Sequence, residues 1–360
     1  MENLIRLRQL MSQKSIDGLA IVPGPNLSYL TSSEFHLSER PVVLFVRQND
    51  AIFVLPELES PKIADLNIDF ISYDDRDGPG PAFAQFSKNH KFSGLGIESR
   101  LIRHLELNLI SSYNISSDII DATGLFAELR MSKSKIEVDH MTKAVKTAER
   151  SLVSVLDKMR PGVTEKQFAT ELVIQLLHNG SDTRLPFSPI VASGVNAANP
   201  HHFPTDKEFK EGELVIVDWG ATHEGYFSDI TRTYAIGNQI DKKLLRAYEA
   251  VRLANLAGRS KAAAGVSAGD VDSATRKVIE DHGFGEFFTH RTGHGLGLEI
   301  HEEPYIKPDN DFVLQKGMTF TIEPGIYIPG LGGIRIEDDV CLKTSGLVSL
   351  TSLPRELIIV

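Results

Sequence analysis

A single cysteine, Cys341, stands in 360 residues, so an internal disulfide is excluded and the chain fits a reducing compartment. Its apolar strand pattern marks Cys341 as a small buried hydrophobe. Long apolar runs are missing too, and none nears the roughly 18 residues that a membrane span needs. Met1 to Arg8 is polar with a helical pattern, and no charged start leads into an apolar segment, so no secretory signal is read. These absences point to a cytoplasmic protein without a membrane partner. Basic residues are outnumbered, 38 Lys and Arg against 48 Asp and Glu, and no basic tract offsets the net charge of −10. Nucleic acid is therefore not an expected partner.

What is present is an ordinary globular composition, long enough for two domains. Leu4, Leu7, Leu10 and Met11 share one face of a first helix. Short apolar strands follow at Gly18 to Val22, Val42 to Val46, Ala51 to Leu55, Ile68 to Tyr73 and Leu95 to Glu98, with helical stretches between them. This alternation predicts an α/β domain. From Asp121 to Met159 the pattern turns helical. Ser134 with Glu137 and Thr164 with Gln167 read as capping boxes. The Ser134 helix is expected to carry Ile136, Met141, Ala144, Val145 and Ala148 on its apolar face and to run on to Met159. A boundary near 125–133 gives domains 1–128 and 129–360. In the second domain helices precede a hairpin twice, an α+β arrangement consistent with a duplicated unit.

The two hairpins carry carboxylates where strands should not have them. The first runs Leu214 to Gly220 and returns through Tyr226 to Tyr234, with Asp218 and Asp229 equidistant from its centre. The second runs Met318 to Gly325 and returns through Gly332 to Val340, with Glu323 and Glu337 equidistant from Gly330. Each pair is expected opposite across its hairpin, with Cβ atoms about 4.5–5.5 Å apart. Like charges so placed repel, and burying them unpaired costs several kcal/mol. The pairs ask for a cation. Four carboxylates balance two divalent ions and over-charge one, and two ions about 3.5–4 Å apart share bridging carboxylates.

His294, between Gly293 and Gly295, is expected to project into such a site because backbone crowding there is low. His290 sits four residues earlier, but the glycines at 293, 295 and 297 argue against a helical zinc pair. Carboxylate dominance without thiolates favours Mn or Co, with Zn or Fe as alternatives. A water shared by two ions becomes a hydroxide nucleophile near neutral pH. His201, His202 and His301 are candidate proton carriers or oxyanion partners, and Glu323 is the chosen carboxylate carrier. Arg335 is read as orienting the carboxylates. The stretch Thr292 to Leu298 lacks the Lys-Ser/Thr ending of a phosphate loop.

These motifs stand in order as Val217-Asp218-Trp219-Gly220, Asp229-Ile230-Thr231-Arg232-Thr233, Thr292-Gly293-His294-Gly295-Leu296-Gly297, His301-Glu302-Glu303-Pro304, Ile322-Glu323-Pro324-Gly325 and Ile334-Arg335-Ile336-Glu337-Asp338. The chain thereby resembles the pita-bread metallopeptidases, in the Xaa-Pro dipeptidase (prolidase) and aminopeptidase P branch. The N-terminal α/β part is similar to the creatinase-type domain of that branch. The resemblance implies Asp218 as a terminal ligand of one metal, Asp229 and Glu337 as bridges, and His294 and Glu323 on the other metal. It implies that His201, directly after Pro200, binds the scissile peptide, with His202 the alternative, and that His301 is a second active-site histidine.

The resemblance further implies hydrolysis of the bond before proline in a proline-containing peptide, by a homodimer with two metal ions per chain. Dipeptidase activity is expected, with aminopeptidase P action on longer peptides as the alternative. A metal-free binding protein or a creatinase-type hydrolase on the same fold is the further alternative. The complete ligand set argues against both.

Overall fold

Strand and helix signals alternate through the first third of the chain and build a sheet of their own. The computed structural model describes residues 2–360 and divides the chain into two units, with the division between Arg130 and Met131. In the N-terminal unit, α1 (Glu2–Gln13) buries Leu4, Leu7 and Met11, while Leu10 is only half-buried. Strands β1 (Gly18–Ile21), β2 (Val43–Arg47), β3 (Ala51–Pro56), β4 (Asp69–Tyr73), β5 (Leu95–Ile97) and β6 (Ile119–Asp121) form one sheet in the order β4-β3-β2-β1-β5-β6. β1 pairs antiparallel with β2 and parallel with β5, so the sheet is mixed. Helices α2 (Pro25–Thr31), α3 (Gly80–Asn89), α4 (His104–Ser112) and α5 (Thr123–Met131) complete this half. Phe45 of β2 stacks on Phe86 of α3 with ring centroids 4.1 Å apart, fixing helix to sheet.

The second unit opens on α6 (Lys135–Val153). The Glu137 N–H donates to Ser134 Oγ, and the Ser134 N–H donates to the Glu137 carboxylate at 2.7 Å. The helix buries Val138, Met141, Ala144, Val145, Ala148 and Leu152. Ile136, expected on that face, lies exposed in the first turn. The helix ends at Val153 and not at Met159, with a 3-10 turn over Leu156–Lys158. Helix α7 (Glu165–His178) has its own capping box from Thr164 and Gln167. Helices α8 (Lys242–Lys261) and α9 (Ala268–Asp281) precede the second hairpin, so the order of two helices and then a hairpin occurs twice.

Strands β7 (Ile190–Ser193), β8 (Leu214–Trp219), β9 (Thr222–His223), β10 (Tyr226–Phe227) and β11 (Ile230–Ala235) make up the first acidic hairpin and its neighbour. Its register corrects the sequence expectation. Asp218 lies opposite Thr231, not Asp229, and His223 lies opposite Tyr226. The cause is the two-residue turn at Glu224 and Gly225, whose φ angles are both positive at 52° and 75°. Such a turn matches the strand twist, and it moves the centre of the hairpin by one residue. The register shifts by two, so Asp229 keeps the same face as Asp218 and Thr231.

The remaining strands are β12 (Gly293–Gly295), β13 (Glu302–Ile306), β14 (Thr319–Ile322), β15 (Gly325–Ile328), β16 (Gly332–Arg335), β17 (Asp338–Lys343), β18 (Gly346–Ser349) and β19 (Ile358–Ile359). β14 pairs with β17 and β15 with β16 in one continuous register. Glu323 is thereby level with Glu337, the pairing that symmetry about Gly330 gives. Pro324 has no N–H to carry the ladder past that point. The two hairpins meet at a bridge where the Glu337 N–H donates to Thr231 O at 3.1 Å. One row across the unit therefore reads Ile190, Asp218, Thr231, Glu337.

Helices hold the hairpins in place. Trp219 is fully buried, and its indole N–H donates to Ala148 O of α6 at 2.9 Å. Asn255 of α8 donates to Ile322 O and to Asp338 Oδ2, both at 3.0 Å, beside the break in the second hairpin. Among the described residues, no helix is long and apolar enough to cross a membrane.

Candidate metal centre

The row through Asp218, Thr231 and Glu337 opens into a cleft of about 790 Å3. All nine candidate residues of the sequence line it: Asp218, Asp229, His294, Glu323, Glu337, His201, His202, His301 and Arg335. Ligand atoms of Asp229, His294 and Glu337 lie within 4.8 Å of one another. Glu323 joins them with Oε1 at 3.2 Å from His294 Nε2, and Asp229 Oδ2 lies 3.6 Å from the same nitrogen. Thr321 Oγ1 donates to Glu323 Oε1 at 3.1 Å. Thr231 Oγ1 donates to Glu337 Oε2 at 2.6 Å.

His294 reaches the cluster from β12. Its backbone N–H donates to Thr321 Oγ1 at 3.1 Å, and its Nδ1 contacts Gly295 O at 3.0 Å, which turns Nε2 towards the carboxylates. The flanking glycines correct the expectation of low crowding. A Cβ on Gly293 would lie 1.9 Å from Thr321 O, and one on Gly295 would lie 2.3 Å from Glu303 O. Both glycines are there because neighbouring strands close in on the His294 backbone.

Arg335 is the cation closest to the carboxylates. Its Nη2 donates to Asp218 Oδ2 at 2.6 Å, its Nε to Thr231 Oγ1 at 3.1 Å and its Nη1 to Tyr327 Oη at 2.8 Å. Burial works against its charge, but Tyr327, Asp218 and Glu337 outweigh this and hold it protonated. One guanidinium does not balance the cluster. Burial, then Glu337 and Asp218, push the Asp229 carboxyl well up, and burial, then Glu323 and Asp218, do the same to Glu337. Burial raises Asp218 against the pull of Arg335. Burial also acts on Glu323, but the His294 hydrogen bond and the charges of His294, His290 and Arg335 overcome it and hold the group at about 2.

A divalent cation fits this arrangement. Asp218 Oδ1 is buried with no hydrogen-bond donor among the described residues, an acceptor left over for a metal. Raised acids around one point are what a cation would ionise. The donor set is four carboxylates and one imidazole, suited to a hard or borderline ion.

The histidines of the cleft differ. His301 meets His294 edge-on with ring centroids 4.3 Å apart, and burial, then His294 and Arg291, push it down to about 4. His201 is exposed on the cleft wall, whereas His202 is half-buried with Nε2 at 2.9 Å from Glu165 Oε2. Phe187 lines the cleft as well.

Sequence reasoning missed four neighbours. Thr231 supports both Glu337 and Arg335, and only the period of two along its strand pointed to it. Tyr327 bridges Arg335 and His290, at 2.8 and 2.9 Å, and burial lifts its hydroxyl to about 12. His290, set aside as a zinc ligand, meets the centre through that hydroxyl. Asp339 accepts the Asp229 N–H at 3.0 Å and is itself pushed well up by burial. Tyr327 meets Arg335 across its own β15–β16 hairpin, whereas the contacts of His290 with Tyr327 and of Asp339 with Asp229 join segments far apart in the chain, which no local pattern marks.

Comparison with known proteins agrees with the geometry. Residues 139–344 match metallopeptidase family M24, and residues 4–132 match the creatinase/prolidase N-terminal domain. A probable dipeptidase PepE of Mycobacterium tuberculosis is 37% identical over 350 residues, spanning 95% of this chain and 92% of its own length. A Xaa-Pro dipeptidase of Pyrococcus horikoshii is 32% identical over 364 residues, spanning 99% of each. The crystal structure of a dipeptidase from Pyrococcus horikoshii OT3 matches with a TM-score of 0.94 at 40% identity, covering 99% of this chain and 100% of that one. With a creatinase-type N-terminal domain, a pita-bread catalytic unit and a buried carboxylate–histidine centre, the chain belongs to metallopeptidase family M24.

Proposed function

We propose that this metallopeptidase hydrolyses the Xaa-Pro bond of dipeptides, using two divalent ions per chain. The observation that carries the reading is the meeting of Asp218, Asp229, His294, Glu323 and Glu337 in one cleft, where Arg335 is the arginine that bonds a carboxylate of the cluster. Asp218 and Asp229 would hold one ion, His294 and Glu323 the other, with Asp229 and Glu337 shared. When bound, such a pair supplies Lewis acidity and a hydroxide nucleophile near neutral pH. The carboxylate set supports Mn or Co, with Zn or Fe the alternatives. The substrate reading draws on the relatives named dipeptidase and Xaa-Pro dipeptidase.

Each side chain then has a task. Glu323, fixed by Thr321 and His294, carries the proton from the attacking water to the leaving proline nitrogen. That nitrogen has no hydrogen of its own in the peptide, so proton delivery decides whether it leaves. His301, neutral near pH 7, donates to the carbonyl oxygen as negative charge grows there. His201, with no side-chain hydrogen bond among the described residues, binds the scissile peptide. Arg335 holds Asp218 in place and keeps the charge of the site in balance. A homodimer in the cytoplasm completes the proposal, supported by the likeness to the prolidase branch and by the lone, buried Cys341.

The test is turnover of an Xaa-Pro dipeptide, an Xaa-Pro-Yaa tripeptide and an Xaa-Ala dipeptide by metal-loaded protein. The proposal expects the Xaa-Pro dipeptide to be the best substrate and Xaa-Ala to be cleaved far more slowly. Equal or faster cleavage of the tripeptide would move the activity to an aminopeptidase. No preference for proline would overturn the substrate class.

A further inference from the structure

Glu165 is buried completely, yet its helix has no need of it as a cap. Thr164 and Gln167 already form the box that satisfies the first turn of α7. The Glu165 carboxylate turns elsewhere. Its Oε1 accepts from Ser193 N–H and Ser193 Oγ, both at 2.8 Å, and from Asn196 Nδ2 at 3.1 Å. Its Oε2 accepts from His202 Nε2 at 2.9 Å, Thr205 Oγ1 at 2.8 Å and Thr205 N–H at 3.1 Å. Burial alone would raise this acid, but hydrogen bonds from His202, Ser193 and Thr205 outweigh it and hold the group below its ordinary range. A charged group so fully satisfied in the interior is a rigid anchor.

Of these donors His202 lines the cleft itself, and Ser193, Asn196 and Thr205 belong to the segments that carry its wall. Ser193 ends β7, the strand whose Ile190 pairs with Asp218. His202 and Thr205 flank Phe203 in the segment that follows Pro200, and Pro200, His201, His202 and Phe203 all line the cleft. The far end of that segment is tied to the metal side, where Arg335 Nη1 donates to Pro200 O at 3.4 Å. The wall is thus clamped between Glu165 and the arginine that holds Asp218. With the His202 ring locked onto Glu165, the His201 ring is the one left free at the cleft.

We propose that Glu165 is a positioning residue for peptide binding: through His202 it fixes the wall segment so that His201 faces the substrate. The inference rests on the reading of His201 as a peptide-binding group. It explains the His201-His202 doublet, in which one ring serves the protein and the other the substrate.

The test uses the metal-loaded enzyme and an Xaa-Pro dipeptide. Glu165→Gln puts an amide where both oxygens accept, and is expected to raise KM about tenfold, the scale of one lost hydrogen bond to a charged group. The expected change in kcat is smaller, because binding is lost more than transition-state stabilisation, and metal content is expected to be retained. His202→Gln, whose amide N–H reaches as far as Nε2, keeps KM near the parent value, whereas His202→Leu repeats the rise. In a His201→Ala background, Glu165→Gln is expected to add less than about twofold, since the two residues act as one unit. Full additivity of the Glu165 and His201 effects would overturn the proposal alone. Equal KM values for His202→Gln and His202→Leu would also overturn it, and this pair serves if the Glu165 variant does not fold. His201→Ala with an unchanged KM would overturn the reading of His201 and the proposal together.

Discussion

Arg335 Nη2 lies 2.6 Å from Asp218 Oδ2, although the two residues come from different hairpins. The contact makes the metal centre a product of both hairpins. Arg335→Lys keeps a charge but not a planar fork that reaches Asp218, Thr231 and Tyr327 together. We expect kcat/KM to fall about 10–100-fold, the usual cost of losing an orienting partner of a metal ligand, and metal affinity to weaken. Peptidase assays with metal titration check this, and unchanged activity would remove Arg335 from its assigned role.

The raised acids predict how the metal-depleted protein responds to pH. Asp229 and Glu337 sit well above their ordinary values of 3.8 and 4.5 in the fold. Their contribution to stability is therefore full below those ordinary values and is lost as pH rises through the folded values. Glu323, held at about 2, works in the opposite sense, its contribution being lost as pH falls from 4.5 towards 2. Chelated protein is thus expected to melt at a lower temperature at pH 8 than at pH 5. Metal-loaded protein, with its carboxylates ionised and paired, is expected to lose this slope. Differential scanning calorimetry at both pH values, with and without metal, decides the matter; a chelated protein more stable at pH 8 would contradict the electrostatic account.

Trp219 tests the link between the first hairpin and α6. Trp219→Phe keeps an aromatic ring but removes the N–H that meets Ala148 O. It removes the second donor to a carbonyl that keeps its helical N–H, at a cost of about 0.5–1.5 kcal/mol. Urea unfolding followed by circular dichroism measures the loss, and a stability unchanged from the parent would mean that the bond contributes nothing.

Much of this was legible in the chain. β-Branched and aromatic runs around turn residues mark both acidic hairpins, and the period of two keeps Asp218 and Asp229 on one face even though the turn at Glu224-Gly225 moves the register. Symmetry about Gly330 put Glu323 level with Glu337. What stayed hidden came from tertiary pairing. Nothing near Tyr327 signals that its hydroxyl lies between Arg335 and His290, and nothing near Glu165 signals that a first-turn glutamate turns inward to hold His202. Gly293 and Gly295 suggest an uncrowded backbone in the sequence, whereas the fold needs them for the close approach of Thr321 and Glu303, which no neighbouring residue marks.

The central claim is that both hairpins together bind two ions and that these ions are required for Xaa-Pro cleavage. Its most direct test is metal content per chain by mass spectrometry after Mn loading and removal of excess, with activity measured on the same sample before and after chelation. The account predicts about two ions per chain, loss of activity on chelation, and recovery on adding metal back. Xaa-Pro hydrolysis that persists in a chelated sample holding no metal would contradict it.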